Sequence, residues 1–318
     1  TLSFMDRLSV AALVVTIMML LSAFSTAYVY RNMYVMRDVE AAFDASGNVL
    51  IRKAAVKDFL GELLDKVWES YSERLEKRPY DPGFFAWGVQ YEIRTYILAY
   101  RLTRDVKWVG RAVARCDHLY SYSDVNGDGI PSWGNYNRTY GNPRYEREGY
   151  REFGVWDGVL STALMDVVQA VLSDPMLNSS NRLREKALTY LSLVEAIVKR
   201  YHDCWTPVGS EMGYYWDSPS GDVVGPVTNR FAALGIAELK LNEILRDPEY
   251  LERPERMARL FKFYLRTDDG CYVWGYKLGT SHLRGHKPWR HRLRVPYAGL
   301  QARDSLRERQ SRKTSANL

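Results

Sequence analysis

The chain has 318 residues, 46% of them hydrophobic, enough to bury one large core or two small ones. Its formal charge of +6 raises nucleic acid or an anionic membrane as partners, but ten Lys or Arg against two Asp or Glu lie between Ser281 and Leu318. The remainder holds 34 basic and 36 acidic residues with no basic stripe along any helix, so nucleic acid is excluded as an expected partner.

In chain order, Thr1 to Val35 reads as an export signal or membrane anchor. Leu8 to Tyr30 carries no charged residue and is long enough to span a bilayer, whereas its strongest apolar run, Val10 to Leu21, has signal-peptide length. Ser25-Thr26-Ala27 offers small residues for cleavage. Either way the rest of the chain is expected outside the cytoplasm, membrane-anchored or secreted. Residues 36–54 form a polar connector. Residues 55–282 then read as one domain, opened by a helix from Ala55 to Glu76 that Pro79 and Pro82 terminate.

An internal repeat follows, and it sets the architecture. Each unit is a helix ending in a Leu-x-Asp or Leu-x-x-Asp turn, a second helix, and an aromatic loop. The helices are expected at Phe84 to Thr103 and Val106 to Tyr120, Gly154 to Leu172 and Asn181 to Tyr201, and Thr228 to Leu245 and Pro254 to Leu265. The turn aspartates Asp105, Asp174 and Asp247 are 69 and 73 residues apart. Short turns at one end and long loops at the other place every long loop on one face of stacked hairpins. Nothing in this body alternates like a strand, so the expected class is all-α.

The longest loop, Asp124 to Asp157, combines Trp133, Tyr136, Tyr140, Tyr145, Tyr150, Phe153 and Trp156 with six carboxylates. Disordered segments are poor in aromatics, so a loop of this composition is either functional or an Ω-loop packed on the domain. Flat rings beside carboxylates suit a poly- or oligosaccharide: rings cover the C–H face of a pyranose and carboxylates accept its hydroxyl protons. The later loops, His202 to Val227 and the one opening at Asp268, repeat the mixture. The expected sugar platforms are Trp133, Tyr136, Trp156, Trp216, Trp274 and Tyr276.

Helical hairpins in series, the DxNGDGxPxW loop at Asp124 and the DGCYxWxY loop at Asp269 resemble the six-hairpin, or (α/α)-toroid, carbohydrate-active enzymes. That resemblance covers about Phe84 to Gly279. It implies a partial toroid preceded by the N-terminal hydrophobic helix, and glycoside hydrolase, polysaccharide lyase or uronyl epimerase activity. Only three hairpins are clear.

Hydrolysis needs two carboxyls across the scissile bond, one protonated and one ionised. Glu211, among aromatics that raise a carboxyl pKa, is the expected acid, and Asp157, after Trp156 at a helix start, the expected base. The alternatives are a loop ion pair for Glu211 and a first-turn carboxylate opposing the helix dipole for Asp157. A lyase or epimerase would instead use Tyr214 or Tyr215 to take the proton beside a uronate carboxyl that Asn229 and Arg230 neutralise. Asn229 has capping of its helix as its structural alternative. A third reading is a non-catalytic glycan-binding surface protein.

Asp124, Asn126 and Asp128, with Gly129 at the sixth position, match the first half of a calcium loop, but position 12 is Asn135. One structural Ca²⁺ or a tight Asx turn accounts for them, and no cofactor is required. Cys116, Cys204 and Cys271 are too few for a disulfide scaffold; Cys204 and Cys271 follow equivalent helices and could pair, or stay two separate buried thiols.

From about Leu283 the helical pattern stops. Residues 283–318 read either as a basic tail or as an out-of-frame segment, because the codons of Gly285 to Arg303 read one base later permit DISHGGIDYAFLTLAYKLG.

Overall fold

Three aspartates at equivalent places cap the helical turn that follows: Asp105 and Asp247 open the second helix of their hairpins, and Asp174 opens a short helix, Pro175–Asn178, ahead of the helix at Asn181–Tyr201, which Ser180 caps. Asp105 accepts from the backbone N–H of Lys107, Asp174 from that of Met176 and Asp247 from that of Glu249, at 2.9, 3.0 and 2.9 Å. Each satisfies an N–H that the first helical turn leaves without a partner. Arg104 and Arg246, just before two of these caps, end the preceding helices in the left-handed conformation, at φ 61° and 58°.

The computed structural model describes residues 42–43, 49–50, 53–136, 150–216, 219, 227–268 and 271–273. The expected signal or anchor at 1–35 and the tail at 283–318 lie outside the described residues. Helix α1 spans Lys53–Lys77. A turn at Pro82–Phe84 and a π-helical turn at Phe85–Val89 lead into α2, Gln90–Thr103. Then come α3 (Val106–Ser121), α4 (Gly154–Ser173) and α5 (Asn181–Tyr201). The last pair is α6 (Thr228–Leu245) and α7 (Glu249–Tyr264).

The expected all-α class holds, and the expected hairpins are present as α2/α3, α4/α5 and α6/α7. Helix α7 begins five residues before the expected Pro254, at Glu249: the Asp247 cap and the acidic first turn start the helix, and the proline is accommodated inside it. The expectation that nothing in the body forms strands is corrected by two-stranded antiparallel pairs in the loops. They are β1/β2 (Ala42–Phe43, Val49–Leu50), β3/β4 (Asn135–Tyr136, Tyr150–Arg151), β5/β6 (Trp205–Val208, Met212–Tyr215) and β7/β8 (Arg266–Asp268, Cys271–Val273). The β5/β6 turn contains Gly209 at φ 63°, which glycine adopts without steric cost.

The helices form two layers. In the inner row α4 packs between α2 and α6; α3, α5 and α7 cover α2, α4 and α6 from outside, and α1 lies against α2. Asp166 of α4 meets Lys240 of α6, and Gln169 meets Glu243, at the same 74-residue offset, so α4 and α6 run parallel. A polar ladder crosses all three inner helices: Arg94 to Asp166 at 3.0 Å, Lys240 to Asp166 at 3.1 Å and Lys240 to Gln169 at 3.2 Å. The outer row repeats its own link. Tyr190 of α5 donates to Asp117 of α3 at 2.6 Å, and Tyr250 of α7 donates to Glu195 of α5 at 3.0 Å.

Helix α4 is the centre of the core. It is apolar on nearly all sides, and by length and composition it could cross a membrane, but it is mostly buried inside the protein. Its closest neighbour is α6. A Cβ at Gly158 would fall 2.6 Å from the backbone nitrogen of Leu234 and closer still to the carbonyl carbon of Ala233. Backbone cannot yield as a side-chain tip can. Gly158→Ala is therefore expected to cost roughly 1–3 kcal/mol, read as a lower urea midpoint at unchanged slope.

Candidate functional site

The first turns of the three inner helices meet at the loop face. Ala86, Val155, Trp156 and Ala233 form an apolar cluster separate from the main core, with Phe153 and Val159 packed on it. Trp87, next to Ala86 in the chain, is 43% exposed. It lies 18 residues before Asp105, as Trp156 lies 18 before Asp174 and Asn229 lies 18 before Asp247. Both residues lie in the π-helical turn Phe85–Val89, where Ala86 is buried in the cluster and Trp87 is exposed. Sequence reading missed Trp87 although aligning the repeats on their aspartates would have flagged it; the π-helical turn itself has no sequence signal.

Asp157 sits in the first turn of α4 and is fully buried. One carboxyl oxygen accepts from the N–H of Trp133 at 2.9 Å and the other from the hydroxyl of Tyr201 at 2.8 Å. Burial is the largest influence on it and pushes its pKa up to about 7, against the lowering effect of those two donors. The residue thus pins the long loop to α4 and α5. Trp133 is fully buried, with its indole N–H on the Leu119 carbonyl at 2.9 Å, and Trp156 is 4% exposed. Neither ring offers a face to a sugar in this conformation, because both are enclosed by packing. Beside Asp157, Glu152 receives Arg200 through two nitrogens at 2.6 and 3.0 Å and the Ser132 hydroxyl at 3.2 Å.

The other expected residues sit elsewhere. Glu211 is exposed at the tip of β5/β6, where its carbonyl accepts from Arg259 of α7 at 3.3 Å. Asp157 has no solvent-facing oxygen, so the two carboxyls do not face one cleft. Tyr215 is 2% exposed and donates to the buried Glu238 at 2.7 Å. Burial, then Glu238, push its phenol far above the usual range, so it is no proton acceptor near neutrality. Tyr214 and Trp216 are half-buried and meet edge to face at 5.6 Å, with Tyr214 also 6.0 Å from Phe231 in the first turn of α6.

Asn229 is exposed in that same turn, and the helix is capped at Val227 without a side-chain bond, so Asn229 is not the cap. Arg230 follows, half-buried. Tyr136 belongs to β3, opposite Tyr150, with its side chain outside the described residues. Trp274 and Tyr276 lie outside them altogether. Cys116 and Cys204 are free, buried thiols, so of the two readings left open for Cys204 the separate buried thiol holds and the pairing with Cys271 does not.

In the Asp124 loop, Asp124 accepts from the Gly129 N–H at 3.1 Å, and Asp128 from the Ile130 N–H and the Asn126 amide at 2.8 Å each. Gly127 and Gly129 take φ of 71° and 76°. These bonds satisfy a tight turn. One atom is left over: the Asn126 amide oxygen is enclosed without a partner. Among the described residues, no group of three His, Cys, Asp or Glu side chains is arranged to hold a metal. The turn borders an open groove of about 470 Å³ between Tyr120, Pro131 and Leu193, whose one carboxylate is Asp124. No protein-family model matches the chain, and no curated protein matches it.

Proposed function

We propose that the chain is an exported carbohydrate-recognising protein, built as a sector of an (α/α) toroid, that binds a poly- or oligosaccharide at its loop face. The observation that carries this reading is the exposed Trp87 ring, one residue along the chain from Ala86 of the cluster that joins the inner helices. Half-buried Tyr214 and Trp216, exposed Asn229 and the guanidinium of Arg230 continue the same rim with rings and hydrogen-bonding groups. This combination suits C–H faces and hydroxyls together. Export rests on the apolar segment Leu8 to Tyr30, which would also tether the protein to a membrane if retained.

Binding to neutral and uronate polysaccharides by affinity electrophoresis tests the proposal, and retardation by neither class sinks it. Trp87→Ala should keep the fold, because the ring is partly in water, and weaken binding roughly three- to ten-fold. Unchanged retardation would remove Trp87 from the site.

A catalytic version of the reading is favoured by one observation: burial pushes the Asp157 carboxyl up to about 7, so about half of the molecules keep its proton at neutral pH, which makes Asp157 the acid and Glu211 the base, the reverse of the expected assignment. Hydrolysis would then need Asp157 to become accessible and Glu211 to approach it. Release of reducing ends, lost in both Asp157→Asn and Glu211→Gln, tests that version. Elimination or epimerisation falls to Tyr214 with Asn229 and Arg230, since Tyr215 is committed to Glu238.

A structural Ca²⁺ in the Asp124, Asn126 and Asp128 turn belongs to the same proposal. Two carboxylates and the orphaned Asn126 oxygen make a hard-oxygen set that suits this ion.

A further inference from the structure

The connection between α4 and α5 differs from its two counterparts. In the first hairpin Asp105 caps α3, which begins at the next residue, Val106, and in the third α7 begins at Glu249, two residues after Asp247. In the second, Asp174 opens only the short helix Pro175–Asn178, and α5 starts at Asn181 behind a cap of its own, Ser180. The extra segment is fixed on its inner side. Leu177 is buried, Asp174 receives the Tyr100 hydroxyl at 2.6 Å and Arg104 Nη2 at 2.7 Å, and the Asn178 N–H reaches the Asp174 carbonyl at 2.8 Å. Its outer side carries Asn178 and Ser179, both exposed, followed by Ser180. Neither cap uses the Asn178 side chain, whose amide donates to the Leu172 carbonyl at 3.4 Å, longer than the usual range for such a bond. Asn178-Ser179-Ser180 is an Asn-x-Ser/Thr sequence, the acceptor at which exported proteins are joined to oligosaccharides.

We propose that Asn178 is an N-glycosylation site, displayed by the segment inserted into this one hairpin turn. The inference rests on the export reading given above. Asn178 Nδ2 bonds to the anomeric carbon of an oligosaccharide carried on a membrane-lipid phosphate. The bond from that carbon to the phosphate oxygen breaks, the lipid phosphate leaves with its electron pair, and the amide proton passes to a base of the transferring enzyme. The hydroxyl of Ser180 completes the sequence that this enzyme reads. The place suits a bulky, solubilising group. Helix α4 starts at the loop face with Gly154 and runs 20 residues to Ser173, a length of about 30 Å, so the turn lies at the far end of the hairpin. A glycan there leaves the loop face open to its ligand. It also disturbs no packing, because the buried contacts of the segment belong to Asp174 and Leu177 and not to Asn178.

Peptide mass spectrometry of the full chain, recovered from its own cells, tests the inference. The tryptic peptide Glu152–Arg182 should carry hexose or N-acetylhexosamine on Asn178 in most molecules. Asn178→Gln leaves both caps intact and should abolish the added mass. Ser180→Thr preserves the acceptor sequence and the cap and should keep the glycan, whereas Ser180→Ala should lose it. A glycan that persists in Ser180→Ala overturns the inference, since the Asn-x-Ser/Thr sequence is then not what is read. An unmodified Asn178 in protein that is found in the medium, or that protease digests on whole cells, also overturns it and leaves export standing. Protein that stays inside the cell overturns both, so the two failures are told apart.

Discussion

Arg115→Leu is expected to lower stability by roughly 3–5 kcal/mol, the penalty of leaving a buried charge without its partner. Glu92 of α2 is fully buried, and Arg115 of α3 holds it through Nε at 2.8 Å and Nη2 at 3.1 Å. Burial, the largest influence, pushes the Glu92 carboxyl up, while Arg115 and the Tyr96 hydroxyl hold it back. Arg115 also donates to the Trp68 carbonyl at 3.1 Å and the Ser72 hydroxyl at 2.9 Å, and its guanidinium lies 3.9 Å from the Trp68 ring centroid. One side chain therefore fastens α1 to the first hairpin. Its loss leaves Glu92 to take up a proton or stay charged in an apolar site, and either outcome destabilises. Glu92→Leu combined with Arg115→Leu should recover most of the loss, because apolar replacement of a whole buried pair is often close to neutral. Urea titration of the two variants decides: if the double variant is no better than the single, Arg115 acts through Trp68 and Ser72 rather than through Glu92.

The repeat was legible because its signals are local. Asp105, Asp174 and Asp247 cap helices through backbone N–H groups two residues away, and the apolar spacing of α4 and α6 needs no knowledge of their partners. The residues around the candidate site were less legible because exposure is decided by distant packing. Trp133 and Trp87 look alike in sequence, yet one is enclosed, bonded to the Leu119 carbonyl and Asp157, while the other is exposed in a π-helical turn. Tyr214 and Tyr215 are adjacent, and the two-residue alternation of a strand sends only Tyr215 inward to Glu238. That strand was itself unexpected: Trp205 to Val208 and Met212 to Tyr215 are four residues each, too short for their alternation to stand out among loop glycines. The α7 start was misplaced for a related reason, since a proline at Pro254 reads as a first-turn residue when the Asp247 cap is not counted.

Asp157 is expected to make the protein less stable as pH rises from about 4 to about 7. Its folded pKa, about 7, lies above the ordinary carboxylate value. Between the two values the folded protein retains a proton that the unfolded chain has released, so the group's contribution is complete below about pH 4 and is lost as pH rises through about 7. The full excursion is on the order of 4 kcal/mol. Carboxylates and histidines elsewhere in the protein also titrate over this range, so the useful quantity is the difference from Asp157→Asn. An amide there still accepts from the Trp133 N–H and has nothing to ionise. The variant should therefore gain on the parent as pH rises from 4 to 8, with the difference levelling off above about pH 7. Asp157→Ala, by contrast, removes the acceptor of the Trp133 N–H and should cost roughly 1–3 kcal/mol even at low pH. Parallel pH curves for the parent and the Asn variant would mean that Asp157 ionises at an ordinary carboxylate pKa despite its burial. The argument for Asp157 as a general acid would then fall with the pH effect, since both depend on the same retained proton.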